Sequence, residues 1–320
     1  MSGLGRLRIV KPGLLTTVQD LGRWSHQAAG VPVAGPMDAF SHRLANHLVG
    51  NAPDAATLEV TLIGPDVVVD AQTTLVVTGA EFDLTCDGAA VSVGTSFAVT
   101  PGQTVRFGRR RLGARAYLAV AGGGVLTPRV LGSRATHLVS RMGGHDGRAL
   151  AAGDELPVAR RAAPAQARAR GLTLPTHGRA RLRVLPESFE GWFREEAWRT
   201  LTSVSFRVSP RSNRMGYRLE GPPLVRARDG EPISGPVAIG AIQVPAAGEP
   251  VLLMADRQTA GGYPKIGHVV SADLCLAGQL APGDFIEFER CTHADAVAAL
   301  IARERELMAR MTLSGGWGAA

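Results

Sequence analysis

The chain has 320 residues, 45% hydrophobic and 20% charged, which is enough apolar material for about two packed domains and excludes wholesale disorder. Its 39 glycines and 20 prolines against 5% aromatics favour a turn-rich β protein over a helical bundle. A net charge of +7 suggests nucleic acid, but seven arginines between Pro157 and Pro186 (Arg160, Arg161, Arg168, Arg170, Arg179, Arg181 and Arg183) carry the whole excess, and without them basic and acidic residues number 28 each. That stretch holds no acid and no aromatic, so it reads as a solvated linker and no nucleic-acid partner is expected.

The opening residues Met1 to Gly13 lack the apolar core of a signal peptide, and no apolar run approaches the roughly 18 residues of a membrane span. Cys86, Cys275 and Cys291 are odd in number and lack metal-ligand spacing, so buried thiols are expected rather than disulfides or a metal site. A cytoplasmic protein without a membrane partner is the expectation.

In chain order, the first half offers strands at Leu58–Ile63, Val67–Val69, Thr74–Thr78, Ser96–Thr100, Thr104–Phe107 and Arg115–Val120. The second offers Leu182–Leu185, Ser203–Val208, Ala238–Val244, Val251–Ala255, His268–Val270 and Phe285–Phe288. Helical spacing predicts Asp38–Val49, Glu187–Leu201 with Phe189, Trp192, Phe193 and Ala197, and a last helix from His293 to about Met311 capped by Thr292 and Asp295. A weak repeat links the halves. Pro101–Phe107 matches Pro282–Phe288, Thr74–Ala80 matches Pro250–Asp256, and Pro36–Asp38 matches Arg214–Gly216, at offsets of 181, 176 and 178. The reading is mainly β: a β-barrel-like unit over 1–156, the basic linker over 157–180, a second copy over 181–312 and a loose tail over 313–320.

The sequence holds no Gly-x-x-x-x-Gly-Lys-Ser/Thr loop, no His-Glu-x-x-His and no Gly-x-Ser-x-Gly. What it does hold is a polar block after an apolar strand: Asp256-Arg257-Gln258-Thr259-Ala260-Gly261-Gly262-Tyr263-Pro264-Lys265. Its glycines would allow positive φ and close approach to a ligand, Arg257 offers a fork for a carboxylate or phosphate, and Asp256 can take protons or orient that arginine. An Asp–Arg pair bracing a turn is the plainer alternative. Lys265 is one of two lysines beside 33 arginines, which suggests a task that needs a compact or deprotonatable cation, with chance retention as the plainer alternative. A second block, Ser209 to Pro222, clusters Arg211, Arg214 and Arg218, as an anion site or as a solvated face. In the first half Gln19, Asp20, Arg23 and Asp38 lie in similar polar turns, while Asn46, Asn51 and Glu59 read as turn and helix-end residues.

These blocks together resemble the KipA family, also called allophanate hydrolase subunit 2-like or biotin-dependent carboxyltransferase subunit proteins. The matching segments include KPGLLTTVQDLGR, GVPVAGPMD, LEVTLIGP, SNRMGYRLEGP, GAIQVPAAGEPVLLMADRQTAGGYPKIG and QLAPGD, spanning residues 11 to about 290. Ala34 and Gly235 depart from the Ser and Glu expected in many members. The resemblance implies two tandem cyclophilin-like β-barrel domains and the C subunit of an ATP-dependent 5-oxoprolinase. The partners it implies are a KipI-like subunit plus a LamB/YcsF-like subunit. ATP would be shared with the KipI-like partner, and no covalently bound biotin is expected, since no Ala-Met-Lys-Met sequence is present. A urea-carboxylase-like carboxyltransferase and a non-enzymatic antagonist of a KipI-like kinase inhibitor are the alternatives. The expected catalytic residues are Lys265 and Asp256. Expected 5-oxoproline contacts are Arg214, Arg257, Gln258, Thr259, Gly261, Gly262, Tyr263 and Gln243. Gln19, Asp20, Arg23, Asp38, Arg211 and Arg218 are expected as supporting or interface residues.

Overall fold

The computed structural model describes residues 4–161, 167–169, 174–187 and 191–314. Phe189, much of the basic linker and the end of the tail lie outside the described residues. The chain divides into two compact units, one of Met1–Arg23, Ala34–Leu174 and Arg305–Ala320, the other of Trp24–Val33 and Pro175–Glu304.

The first unit is a nine-stranded, curled antiparallel sheet: β1 (Leu4–Lys11), β2 (Leu15–Gln19), β3 (Thr57–Thr61), β4 (Asp66–Val69), β5 (Thr73–Cys86), β6 (Ala89–Val91), β7 (Phe97–Val99), β8 (Thr104–Val120) and β9 (Glu155–Ala159). The main path runs β2-β3-β8-β4-β1-β9, and β5 pairs with β6, β7 and β8. Helix α1 (Ala39–Leu48) packs on β5 and β8. In β1 the exposed Arg6 and Arg8 alternate with Leu7 and Ile9, which are fully buried, the period of a half-buried strand. The two expected strands Thr104–Phe107 and Arg115–Val120 are one strand, β8. Its polar middle, from Gly108 to Arg111, is exposed and runs along β5 where register shifts interrupt the pairing, so it lacks the apolar signal of its ends.

The second unit is built on a closed seven-stranded barrel, in the order β10 (Arg179–Pro186), β17 (Lys265–Val269), β14 (Ala241–Gln243), β15 (Val251–Leu253), β12 (Gly216–Glu220), β11 (Ser205–Val208) and β18 (Phe285–Arg290). Parallel pairing of β18 with β10 closes the ring and removes free edges. A two-stranded ribbon of β13 (Gly235–Pro236) and β16 (Ala260–Gly261) stands beside it. Helices α2 (Glu195–Ser203), α3 (Leu274–Gly278) and α4 (His293–Ser314) complete the order. The helix expected over Glu187–Leu201 is corrected to α2. Gly191 takes left-handed backbone (φ 87°) and Arg194 is extended, so the helix starts only at Glu195.

The Pro-Gly copies of the repeat are equivalent in detail. Gly102 and Gly283 both turn at positive φ, and each donates its N–H to the end of a neighbouring strand, at Val69 O (2.9 Å) and Val208 O (2.8 Å). Gln103 accepts from Thr100 N–H as Asp284 accepts from Ala281 N–H, both at 2.8 Å. One local solution for entering a strand thus occurs twice.

Candidate functional site

In the second unit the polar block leaves β15 and folds back through the β13–β16 ribbon to β17. Asp256 pairs not with Arg257 but with Arg214. Both carboxylate oxygens accept from the guanidinium, Nε to Oδ2 and Nη2 to Oδ1, each at 2.9 Å, with both side chains almost wholly buried. This fork joins the two blocks that the sequence set 42 residues apart. It corrects the expected Asp256–Arg257 pairing and gives Arg214 and Asp256 to each other. Arg257 is buried too: its Nε donates to Val237 O at 3.1 Å, and burial lowers its guanidinium pKa. Thr259 O accepts from Val237 N–H, so Arg257 and Thr259 both hold Val237, the residue that follows β13.

Neither Gly261 nor Gly262 takes left-handed backbone, which corrects the positive-φ reading. Close approach is the reason instead. A Cβ on Gly261 would lie 2.9 Å from Gln243 Nε2 and 3.3 Å from Gln258 Nε2, and one on Gly262 would lie 3.1 Å from Ser234 Oγ. Two glutamine amides therefore pack over the bare Cα of Gly261. Gln258 Nε2 donates to Gln243 Oε1 at 3.4 Å. Gln243 is 2% exposed, and its Nε2 has no hydrogen-bond partner among the described residues. A donor left in that state costs about 1–3 kcal/mol.

Gln243 lines a cleft of about 330 Å³ with Gln258, Tyr263, Arg211, Arg218 and Leu253 among its walls. Registers explain the grouping: Gln243 faces Val251 across β14–β15, and Arg218 faces Val251 across β12–β15. The intervening residues Tyr217, Ile242 and Leu252 are buried on the opposite face. Arg211 reaches Glu249 at 3.7 Å, whereas the Arg218 guanidinium meets no partner among the described residues.

Lys265 faces Gln243 across β14–β17, beside a register shift that leaves Ile266 as an extra residue. That bulge lets Lys265 and His268, three apart on one strand, both reach Glu187, at 3.9 Å and 3.3 Å from its Oε2. Lys265 Nζ also donates to Pro236 O at 3.4 Å. Burial, and secondarily Lys265, lower the His268 pKa against the pull of Glu187. Glu187 and His268 went unnoticed in the sequence, because their grouping depends on the barrel register and the bulge.

In the first unit the expected supporting residues brace loops. Asp20 accepts from Gly22 N–H (2.9 Å), Ser133 Oγ–H and Arg134 N–H (2.5 Å each). Gln19 Nε2 donates to Thr136 O at 3.1 Å, and Arg23 to Ala135 O. Asp38 caps α1 through Ser41 N–H at 2.9 Å. Glu59 lies in the middle of β3, inside the strand expected over Leu58–Ile63 and not at a turn or helix end, and its carboxylate accepts from Met37 N–H and Tyr117 OH, both at 2.8 Å. Burial, chiefly, with Glu59 and Asp38 nearby, pushes the Tyr117 pKa well above its usual value. His42 is fully buried between Thr57 and Asn46, and desolvation lowers its pKa to about 4.

The profile of the carboxyltransferase domain, subdomain A and B, matches residues 29–290. The chain belongs to this carboxyltransferase-domain family. It is 37% identical to the 5-oxoprolinase C subunit of Escherichia coli over 92% of this chain and 94% of that protein. It is 33% identical to the urea amidolyase of Saccharomyces cerevisiae over 88% of this chain but only 16% of that one. The crystal structure of the Kluyveromyces lactis urea amidolyase superposes with a TM-score of 0.88 at 31% identity, covering 97% of this chain and 20% of that chain. This chain shares its mainly β, cyclophilin-like architecture with that structure.

Proposed function

We propose that the chain is the C subunit of an ATP-dependent 5-oxoprolinase and acts in the cytoplasm with a KipI-like subunit plus a LamB/YcsF-like subunit. The observation that carries this reading is the match in extent: the bacterial relative of that name is covered over 94% of its length, the yeast urea amidolyase over 16%. In this reading 5-oxoproline meets the polar block of the second unit. Lys265, its stem packed away and its head held by Pro236 O and Glu187, supplies compact positive charge where oxyanion charge develops on the lactam. The Asp256–Arg214 fork and Arg257 hold the walls of the site.

ATP in this reading is bound jointly with the KipI-like partner. The cleft lining includes two arginines but no helix N-terminus to cradle phosphates, so no phosphoryl step is assigned to it. Covalently bound biotin has no part in the reading. The test is co-purification of the three subunits and a coupled ATPase assay with 5-oxoproline, and separately with urea and bicarbonate. ATP hydrolysis that depends on 5-oxoproline in the complex and is absent from the isolated chain is expected. Turnover by the isolated chain, or urea-dependent carboxylation with a biotin carboxylase partner instead, would overturn it.

A further inference from the structure

One carboxylate oxygen of the second unit sits between two nitrogen donors and is hydrogen-bonded to neither. Glu187 Oε2 is closed off from solvent and accepts no hydrogen bond among the described residues. It lies 3.3 Å from His268 Nδ1 and 3.9 Å from Lys265 Nζ, close enough to attract both and too loosely placed to bond either. A buried acceptor in that state is costly, and a small movement toward one donor removes the cost.

The barrel builds this arrangement. Leu185 and Pro186 at the end of β10 pair with His268 and Gly267, and the next N–H, that of Glu187, donates to Ile266 O at 3.2 Å. The glutamate is thus pinned to the residue whose bulge brings Lys265 and His268 to one side. The surroundings of the imidazole are otherwise uncharged. β10 presents Leu185 to His268 and β14 presents Ala241, α2 brings the Trp198 ring to Gly267, and Arg183 of β10 is engaged by Asp273. The charges that act on His268 are those of Glu187 and Lys265. Burial chiefly lowers its pKa, Glu187 opposes this and Lys265 adds to it, so the imidazole is neutral in neutral solution and takes its proton only below 6.5. The side chains of Lys265, His268 and Glu187 keep 15%, 28% and 13% of their surface, so solvent protons reach the group.

We propose that Glu187 is the positioning residue of Lys265 and that the proton on His268 decides which of the two it holds. With His268 neutral, Lys265 is the cation of the trio, and the carboxylate closes on its ammonium and aims it together with Pro236 O. When His268 takes a proton, the carboxylate closes on the nearer imidazolium and Lys265 loses that hold. Neither Glu187 nor His268 is given a contact with substrate. The proposal rests on the reading above that Lys265 serves 5-oxoproline turnover, and adds to it what sets the cation and at which pH.

The chain has only two lysines, Lys11 and Lys265, which makes the second directly observable. In the full chain isotope-labelled at lysine Cε, each gives one magnetic-resonance signal, and Lys11→Arg shows which is Lys265. That signal is expected to move as pH drops below 6.5, and the movement to vanish in His268→Gln and in Glu187→Gln. In the co-purified complex kcat for 5-oxoproline should fall over the same range, and His268→Gln should lose this fall. Glu187→Gln, equal in shape but without the charge, should lower kcat at least about tenfold with little change in KM, with thermal melting showing each variant folded. If the Lys265 signal stays in place over that range, or moves equally in His268→Gln, the sharing of Glu187 is overturned whatever the turnover. If the signal behaves as expected while complexes carrying Lys265→Arg or Glu187→Gln turn over 5-oxoproline at the wild-type rate, the reading of Lys265 as the active cation falls and the positioning role falls with it.

Discussion

Replacing Asp256 with alanine should destabilise the second unit before it informs on catalysis. The carboxylate is buried and both of its oxygens accept from Arg214, which is itself 4% exposed. Removing it strands a guanidinium in a water-excluded setting, and breaking a buried pair from one side costs about 3–5 kcal/mol. In a unit of this size each kcal/mol lowers the melting temperature by about 2–4 °C, so a drop of roughly 6–20 °C is expected. Replacing both partners with apolar residues, Arg214→Met with Asp256→Leu, removes the stranded charge and should recover most of the loss. Calorimetric melting with a urea titration reads both effects as a cycle. An Asp256→Ala protein that melts within about 1 kcal/mol of wild type while its complex loses turnover would refute the reasoning and make Asp256 a catalytic carboxylate.

Lys265→Arg should keep the fold and partner binding yet lower kcat at least about tenfold, ~1.4 kcal/mol, because a planar guanidinium does not fit the position between Pro236 O and Glu187; a wild-type rate in the complex would make Lys265 a structural lysine. Gly261→Ala should push the Gln243 and Gln258 amides apart and weaken 5-oxoproline binding with little change in melting, which a titration beside a thermal scan checks. His42 resists protonation until about pH 4 in the folded chain but titrates near 6.5 when unfolded, so the unfolded state binds its proton first. Stability should therefore fall as pH drops from about 6.5 toward 4, by up to about 3 kcal/mol, and a His42→Gln protein with the same slope across that window in denaturant titrations would show that His42 is not its source.

The strands of the barrel were legible where one face is apolar and Pro-Gly turns bound the run, as at Phe285–Phe288 and Val251–Ala255. They were illegible where arginines fill the alternate positions, as in β1, although Leu7 and Ile9 keep the period of two. In the site, Gln243, Gln258, Tyr263, Arg211 and Arg218 were singled out from sequence, and all five line one cleft. The pairing of Asp256 with Arg214 was not legible, because an adjacent arginine offered a nearer partner along the chain. Only the register of β12 against β15 brings Arg214 to it. Glu187 and His268 were hidden for the same reason: strand alternation sends Lys265 and His268 to opposite faces until one bulged residue intervenes.

The most direct measurement of the central claim is the rate of glutamate formation from 5-oxoproline and ATP by the co-purified subunits, with this chain present or omitted. Turnover that requires the chain is expected. Equal turnover without the chain would contradict the proposal that it is a subunit of a 5-oxoprolinase.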